Sequence, residues 1–287
     1  MEIRNQTMDE ERALYGILDA LVASCVFDGP KDGESALKEC RNVQVDNCFF
    51  NLRYPFWHVE NAGISGCEMT EKCRAALWYD NGVRIENTKL HGIKALRECE
   101  NVSLRACDIS STEFLWKCRN VEVTDSKMES EYPFFECGDV NIDRLVMKGK
   151  YSFQYTENVR ISNSVLDTKD AFWHAKNVVV TDSVVKGEYL GWYSKNLTLV
   201  RCRIIGTQPL CYCKGLVLED CTMEGTDFSF ERSEVQAKVM GKILGVKNPL
   251  SGSIEADEIG ELLMEKEYIN PQRTVIKAGR IEKRIDA

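Results

Sequence analysis

The sequence predicts an all-β fold: a single-stranded right-handed parallel β-helix, built from coils of about 19 residues. A phrase of the form Asn-apolar-x-apolar-x-x-small-x-apolar recurs along the chain, and every step from Gly82 to Gly215 is 19 residues. Apolar and polar residues alternate within the phrase, and this period of 2 is typical of strands. Pro55, Pro133 and Pro209 fall in the second half of three repeats, where they would break a helix.

A leucine-rich-repeat-like solenoid is the alternative fold. Phrases such as NVQVDNCFF, which starts at Asn42, resemble the L-x-L-x-x-[N/C]-x-L pattern of that class. However, leucine-rich repeats are about 20–29 residues long. Their strand is followed by Asn rather than preceded by it, and their return segment is commonly helical. The parallel β-helix is therefore the favoured prediction.

The repeat also divides the chain. Residues 1–16 are predicted to form an N-terminal cap, in which Thr7 and Glu10 resemble a capping box that opens a short helix through Leu14. The predicted β-helix occupies residues 17–261, and residues 262–287 form a C-terminal cap or tail.

Not all coils are of equal length. The steps from Asp19 to Asn42 and from Asn61 to Gly82 are both longer than the common step, and the first of them is the longest. Beyond Gly215 the phrase fades, with starts predicted one common step apart at Glu234 and Ser253. The run TVIKA at 274–278 is predicted to be a last strand.

Composition limits the function. The net charge is -8 and the chain has no long basic cluster, which disfavours nucleic acid as a partner. The acidic N-terminus lacks the apolar core of a secretory signal, and no apolar run is long enough to span a membrane. We therefore expect a cytoplasmic protein with no membrane partner. An odd count of 13 cysteines fits reduced thiols better than a disulfide framework.

Most cysteines fall at two fixed positions of the repeat, which indicates packing in the interior. One column lies in the phrase itself and includes Cys48, Cys67 and Cys107; the other lies two residues before each Asn and includes Cys99 and Cys118. No CxxC-like pair occurs, so no metal site and no cofactor are predicted. The Asn column is interpreted as a structural ladder of amides that hydrogen-bond from coil to coil.

The second half of the repeat carries the candidate functional residues. All five tryptophans share one column, and two of the three histidines share the next. The predicted ligand-binding residues are Trp57, His58, Arg97, Trp116, Tyr155, Trp173, Trp192 and Tyr193. The candidate catalytic residues are Glu98, Lys117, Glu136, His174 and Asp170.

Two interpretations of these columns remain open. In the first, they are self-complementary ladders, with Glu98, Lys117 and Glu136 alternating in charge and Arg97 sandwiched between Trp78 and Trp116. In the second, they line a groove in which aromatic and ionisable side chains bind or modify a carbohydrate. Glu98 and Glu136, two coils apart, would lie about 9–10 Å from each other. That separation is at the outer limit for an inverting glycosidase.

Phrases in these columns carry a family resemblance over about residues 17–260. RYPFWH, CRAALWY, ESEYPFFE, GKYSFQY, TKDAFWH, GEYLGWY and GTQPLCYC resemble an uncharacterised bacterial family with a right-handed parallel β-helix of the pectin-lyase-like superfamily. The superfamily implies polysaccharide lyases, hydrolases and esterases, but the calcium-lyase and polygalacturonase site patterns are absent here. The resemblance therefore implies the fold and leaves open whether the protein is an enzyme.

Three functions follow as hypotheses. The first is an oligosaccharide-binding or carbohydrate-modifying β-helix, which as an enzyme would be a lyase or hydrolase. The alternative is a non-enzymatic scaffold whose aromatic face packs against a protein partner or forms a homodimer. The third, a redox or metal role for the cysteines, has the least support because the thiols occupy packing positions.

Overall fold

The structure is a computed structural model that describes all 287 residues. The chain forms two compact units, Met1–Val146 (unit 1) and Met147–Ala287 (unit 2). Both consist of short parallel strands, and the helical structure is limited to one 3₁₀ turn, Pro271–Arg273. The right-handed parallel β-helix predicted from the repeat is confirmed. No helix in the chain has the length and apolar character needed to cross a membrane.

In unit 1 each coil contributes to as many as three sheets. Sheet 1 holds the Asn-apolar strands Glu2–Arg4, Leu18–Ala23, Arg41–Asp46, Glu60–Ser65, Asn81–Glu86, Glu100–Arg105, Arg119–Thr124 and Gly138–Asp143. Sheet 2 holds Thr7–Met8, Val26–Phe27, Phe49–Phe50, Glu68–Met69, Lys89–Leu90, Asp108–Ser110 and Lys127–Ser130. Sheet 3 holds Phe56–Trp57, Leu77–Trp78, Ala95–Arg97, Glu113–Trp116 and Tyr132–Pro133.

Unit 2 has strands equivalent to those of sheets 1 and 2, and turns take the place of the sheet 3 strands. Its sheet 1 strands are Glu157–Ser162, Lys176–Thr181, Lys195–Val200, Leu216–Glu224, Glu234–Lys247, Ser251–Met264 and Thr274–Asp286. The shorter strands are Val146–Lys150, which starts at the last residue of unit 1, Val165–Lys169, Val184–Lys186 and Arg203–Ile205. The last three strands of sheet 1 are 13 or 14 residues long, so the coil pattern changes toward the C-terminus.

The strand registers confirm the coil steps over most of the chain. Val102 pairs with Val121 in unit 1 and Val178 with Leu197 in unit 2, both at the common step, and the longer step pairs Ala62 with Val83. The step predicted from Glu234 to Ser253 is wrong, because Glu234 pairs with Ser251 instead. A short loop at 248–250 joins these two strands and shortens the coil.

Both chain ends are strands. The short helix predicted after Thr7 is wrong, since Thr7–Met8 pairs with Val26–Phe27 and Glu2–Arg4 pairs with Leu21–Ala23. The last strand predicted at 274–278 is confirmed and extends to Asp286, paired in parallel with the strand before it. Parallel pairing satisfies the backbone groups of these segments, which an isolated capping helix would leave exposed at the edge of the sheet.

The two columns that hold most of the cysteines, the small columns, form hydrogen bonds as well as packing in the interior. The Ser126 hydroxyl donates to the Thr124 carbonyl at 2.8 Å and accepts from the Cys107 amide at 3.0 Å. Cys48 Sγ makes the same pair of contacts with the Asp46 carbonyl and the Cys25 amide, each at 3.4 Å. Cys, Ser and Thr can all donate and accept in this way, which explains why they interchange there, and Leu145 fills the same position in one coil by packing. All 13 cysteines are buried as free thiols.

One member of the second small column is a carboxyl group. Asp80 is 1% exposed, between Val59 and Cys99 in that column. Its Oδ1 accepts from the Val59 amide at 2.7 Å, whereas Oδ2 has no partner. Burial raises the pKa of the Asp80 carboxyl well above its usual range, against the opposing effect of the Val59 and Trp78 backbone amides. Burial thus favours the protonated form of Asp80 at a position where the adjacent coils have Val59 and Cys99.

The Asn column confirms the predicted ladder. The Asn61 amide donates to Asn42 Oδ1 at 2.8 Å, and the Asn196 amide donates to Asn177 Oδ1 at 2.9 Å. The ladder residues are exposed and have φ between 51° and 59°, the left-handed region that Asn tolerates better than most residues. At Gly82, which has no amide to offer, Asn101 donates to Asn81 instead.

Candidate functional site

The second half of each coil alternates between core and surface. The inward column includes Phe56, Leu115 and Phe134 in unit 1 and Phe153 and Phe172 in unit 2, all fully buried. The next two residues of each coil form the tryptophan row, which is half-buried over most of its length, and the ring row, which faces solvent. Whether these rows face the core or the solvent was open from sequence, because short apolar runs have no clear period.

The two rows are defined by register. The tryptophan row holds Trp57, Trp78, Arg97, Trp116 and Phe135 in unit 1, and Gln154, Trp173, Trp192, Cys211 and Phe230 in unit 2. The ring row holds His58, Tyr79, Glu98, Lys117 and Glu136 in unit 1, and Tyr155, His174, Tyr193, Tyr212 and Glu231 in unit 2. Cys211 and Phe230 are buried, so the exposed part of the tryptophan row in unit 2 ends at Trp192.

In unit 1 the tryptophan row is a stack of rings and cations. Trp57 and Trp78 stack with centroids 5.8 Å apart and planes 13° apart. The Arg97 guanidinium lies 6.0 Å from the Trp78 ring and 5.2 Å from the Trp116 ring, which confirms the predicted sandwich. Arg97 also pairs with Glu113 at 3.4 Å, so its charge is neutralised. The cation–π and ionic contacts thus hold the Arg97 charge between the two rings.

Three N–H groups of this stack lack an acceptor. Trp57 Nε1, Trp78 Nε1 and Arg97 Nε are buried without a hydrogen-bond partner. Further along the row, Trp116 Nε1 donates to the Tyr132 carbonyl at 2.7 Å. The coil between Trp57 and Trp78 is longer than the common step.

The ring row of unit 1 is mostly charged. His58 and Tyr79 stack with centroids 5.0 Å apart, which confirms Tyr79 as the match for His58 in the longer coil. Lys117 lies 3.8 Å from Glu136, one of the two contacts expected of an alternating ladder. His58 also borders a concave region of about 570 Å³ with Leu18, Glu39 and Arg41. The predicted catalytic group Glu136 is therefore already paired.

In unit 2 the tryptophan row is fixed by hydrogen bonds. Trp173 and Trp192 stack at 5.5 Å with planes 4° apart. Trp173 Nε1 donates to the Tyr189 carbonyl at 2.7 Å, and Trp192 Nε1 donates to the Gln208 carbonyl at 2.8 Å. Each indole N–H is thus held by the backbone of the next coil. The two rings form a rigid wall beside the ring row.

The ring row of unit 2 is a continuous ladder of four rings. Tyr155 and His174 stack at 5.0 Å, His174 and Tyr193 at 5.0 Å, and Tyr193 and Tyr212 at 4.9 Å, with planes no more than 13° apart. Tyr155 is 52% exposed and Tyr193 is 42% exposed. Because the rings are stacked face to face, the faces of His174 and Tyr193 are covered and their polar edges point outward.

The titratable groups beside this ladder differ in exposure. Asp170, a candidate catalytic residue, is 5% exposed, and burial raises the pKa of its carboxyl, with Lys169 opposing the rise. Burial and then the nearby Glu231 raise the pKa of the Tyr212 hydroxyl. Glu231 pairs with Lys247 at 3.1 Å. The structure thus leaves His174 as the exposed member of the candidate catalytic set in unit 2.

One row of cations was not anticipated from the sequence. In three successive coils of unit 2 a lysine stands immediately before the ladder position: Lys176 before Asn177, Lys195 before Asn196 and Lys214 before Gly215, and all three lysines are exposed. These residues form the lysine row, two positions after the ring row. Aligning the repeats on the ladder position places the three lysines in one column, so the sequence carries this signal.

A comparison with known protein families identifies the family of this chain. A family model described as a protein of unknown function, DUF3737, matches residues 1–277. The chain belongs to this family. No curated protein matches this DUF3737 chain.

Several solved structures are similar to this DUF3737 chain at low identity. The A-module of the mannuronan C-5 epimerase AlgE6 of Azotobacter vinelandii is 11% identical, with 100% of this chain and 88% of that chain covered and a TM-score of 0.35. PfbA, a surface adhesin of Streptococcus pneumoniae, is 9% identical, with 90% and 72% covered and a TM-score of 0.32. The tailspike protein of E. coli bacteriophage HK620, in complex with pentasaccharide, is 9% identical, with 98% and 72% covered and a TM-score of 0.32.

Proposed function

We propose that the ring row of unit 2 binds an extended oligosaccharide. The observation that carries the proposal is the ladder of Tyr155, His174, Tyr193 and Tyr212, whose rings repeat every 4.9–5.0 Å and expose their edges. Phenol hydroxyls and imidazole nitrogens donate and accept hydrogen bonds. An extended glycan presents hydroxyl groups at a regular repeat, so one ligand can contact several rungs.

The mode of contact follows from the stacking. Aromatic residues commonly receive sugars on their ring faces, but the faces of His174 and Tyr193 are covered by their neighbours. Binding here therefore uses edges and hydrogen bonds rather than face stacking. Trp173 and Trp192 hold the wall of the site in place, and this preorganisation lowers the entropy lost on binding.

The proposal is for binding rather than for lysis or hydrolysis. A glycosidase needs two carboxyl groups on either side of the scissile bond. In unit 2, Glu231 is paired with Lys247 and Asp170 is almost fully buried. In unit 1, Glu136 is paired with Lys117. The candidate catalytic residues therefore do not supply an exposed carboxylate pair beside the ring ladder.

A glycan array with matched variants tests the proposal. The wild-type chain should retain at least one class of oligosaccharide. Tyr193→Phe removes one edge hydroxyl and should weaken binding up to about tenfold, the value of a hydrogen bond of about 0.5–1.5 kcal/mol. Tyr79→Phe, at the same position in unit 1, should leave binding unchanged. Equal losses in the two variants, or no retention by the wild type, would overturn the proposal.

The scaffold alternative is separated in the same experiment. Light scattering on the wild-type chain and on Tyr193→Phe reports whether the ring row supports self-association. A dimer that dissociates in Tyr193→Phe, together with an empty array, would assign the row to protein–protein contact. A monomer with a glycan ligand would assign it to carbohydrate binding.

A further inference from the structure

The lysine row of unit 2 is a column of like charges. Lys176 pairs in register with Lys195, and Lys195 pairs in register with Lys214. Neighbouring parallel strands lie about 4.8 Å apart, so successive lysines start from backbone positions at that spacing. Like charges in directly opposed strand positions are destabilising. The fold alone therefore gives no reason for three successive lysines.

Other charged columns of unit 2 are compensated from one coil to the next. Arg201 pairs with Asp182 at 2.6 Å, Lys186 with Asp167 at 2.9 Å and Lys169 with Glu188 at 3.0 Å. By contrast, none of the three lysines forms an ion pair with a protein carboxylate. Acidic residues border the row at its two ends: Glu157 pairs in register with Lys176, and Glu234, whose amide donates to the Cys213 carbonyl at 3.0 Å, lies beside Lys214. The lysine row is thus a set of cations left available to a ligand.

The position of the row connects it to the ring ladder. His174 and Lys176, Tyr193 and Lys195, and Tyr212 and Lys214 are each separated by one buried residue. His174, Tyr193 and Tyr212 have φ of 55–60°, in the left-handed region, so the backbone turns between the ring row and the lysine row. The two rows are therefore neighbouring strips of the surface. Each rung offers one ring edge and, two residues later, one ammonium group on a long flexible side chain, and the rung repeats in three successive coils.

From this geometry we propose that the oligosaccharide bound by unit 2 is acidic, with carboxylates that lie along the lysine row while its hydroxyls contact the ring row. This inference rests on the proposed function and specifies its ligand class. Lys176, Lys195 and Lys214 each act as a point charge toward one carboxylate. The repeat of the protein matches a polymer with one charge per unit better than it matches a compact anion.

Unit 1 provides the internal contrast. At the positions of the lysine row it has Leu18, Arg41, Glu60, Asn81, Glu100, Arg119 and Gly138. Arg41 pairs with Glu60 at 3.2 Å, and Arg119 is turned onto the Glu136 carbonyl at 2.6 Å. No row of free cations is formed there. Acidic glycan binding should therefore be confined to unit 2.

The test compares two ligands that differ only in charge: a uronic acid oligosaccharide and its carboxyl-reduced counterpart. The triple variant Lys176→Gln, Lys195→Gln and Lys214→Gln should bind the acidic ligand at least tenfold more weakly, since each exposed ion pair contributes a few-fold. Its affinity for the neutral ligand should be unchanged. Lys72→Gln, Lys89→Gln and Lys127→Gln in unit 1 remove the same charge and should have no effect.

Each outcome is decisive. The inference is supported if the wild-type chain binds the acidic ligand more tightly than the neutral one. This difference in affinity should be lost in the unit 2 variant and at high salt. Equal binding of the two ligands overturns it and leaves the proposed function standing. Binding of neither ligand overturns both. Equal binding of single-stranded DNA and the uronic acid oligomer, with loss of both in the variant, overturns the assignment to a carbohydrate.

Discussion

The interiors of the two units are built from the same columns, but the units differ in what they expose to solvent. Phe134 in unit 1 and Phe172 in unit 2 occupy the same inward column and are fully buried. Outward, unit 1 presents a ring row of mixed charge in which Lys117 pairs with Glu136. Unit 2 presents uninterrupted rings and three unpaired lysines. The inward residues of the coil therefore determine the fold, whereas the outward residues can vary and give each unit a different surface.

The largest effect should come from the interior, and it should be the same in both units. Phe134→Ala and Phe172→Ala each remove a fully buried ring from the same column. We expect each to lower the free energy of unfolding by about 3–5 kcal/mol. Denaturant unfolding of the two variants measures this. Costs that differ by more than about 2 kcal/mol would show that the interiors are not equivalent.

A smaller change in stability should come from replacing Asp80, the carboxyl group in the second small column of unit 1. Asp80→Cys restores the thiol that Cys40 and Cys99 contribute to that column, and it should stabilise the protein by about 1–3 kcal/mol at neutral pH. The raised pKa of Asp80 means that the folded state holds a proton that the unfolded state releases. Wild-type stability should therefore fall as pH rises above about 4, the ordinary carboxyl range.

The pH dependence provides the control for this variant. The stability gained by Asp80→Cys should shrink toward about pH 3, below the ordinary carboxyl range, where the unfolded wild type is protonated as well. Unfolding free energies measured from about pH 3 to about pH 8 test the sign. A gain that grows toward acid would contradict the raised pKa of Asp80.

Trp→Phe variants in the tryptophan rows of the two units should differ in stability by about the value of one hydrogen bond. Trp192→Phe loses the bond from Nε1 to the Gln208 carbonyl and should cost about 0.5–1.5 kcal/mol beyond the change in ring size. Trp78→Phe loses no bond and removes a buried unpaired N–H, so its cost should be smaller by that amount. Thermal unfolding of the two variants compares them directly. An equal or larger loss in Trp78→Phe would mean that its indole has a partner.

The smallest effect should come from the exposed lysines. Lys117→Gln removes a partly exposed pair with Glu136 and should cost no more than about 1 kcal/mol. Lys195→Gln removes a like charge between two lysines and should be neutral or stabilising by a few tenths of a kcal/mol. Both differences should shrink in high salt. A stabilising Lys117→Gln would indicate that the pair does not form in solution.

The sequence predicted the fold well because the repeat makes registers visible. The columns of Asn61, Cys48 and Trp173 could be aligned without a structure, and their parallel pairing followed. The N-terminal strands were missed because Thr7 and Glu10 resemble a helix cap. The strand that contains Thr7 pairs with a strand one full coil later, which local sequence does not reveal. The step to Ser251 was missed because a short loop shortens that coil.

The candidate site was less accessible to sequence reasoning. Alignment placed His174 and Tyr193 in one column, but it could not show whether the column faced the core, because left-handed residues such as Phe172 break the period of 2. The ion pair of Glu136 and the burial of Asp170 depend on rotamers and neighbouring coils. Whether any of these residues binds a ligand stays a prediction.

One measurement tests the central claim directly. The chain has three histidines, of which His58 and His174 occupy the same column in the two units and His91 lies near Asp108 in unit 1. Their imidazole proton resonances can be followed by NMR during titration with a uronic acid oligosaccharide. The account predicts saturable shifts of the His174 signal alone, with His58 and His91 as internal references. Shifts of His58 equal to those of His174, or no shift of His174 at saturation, would contradict it.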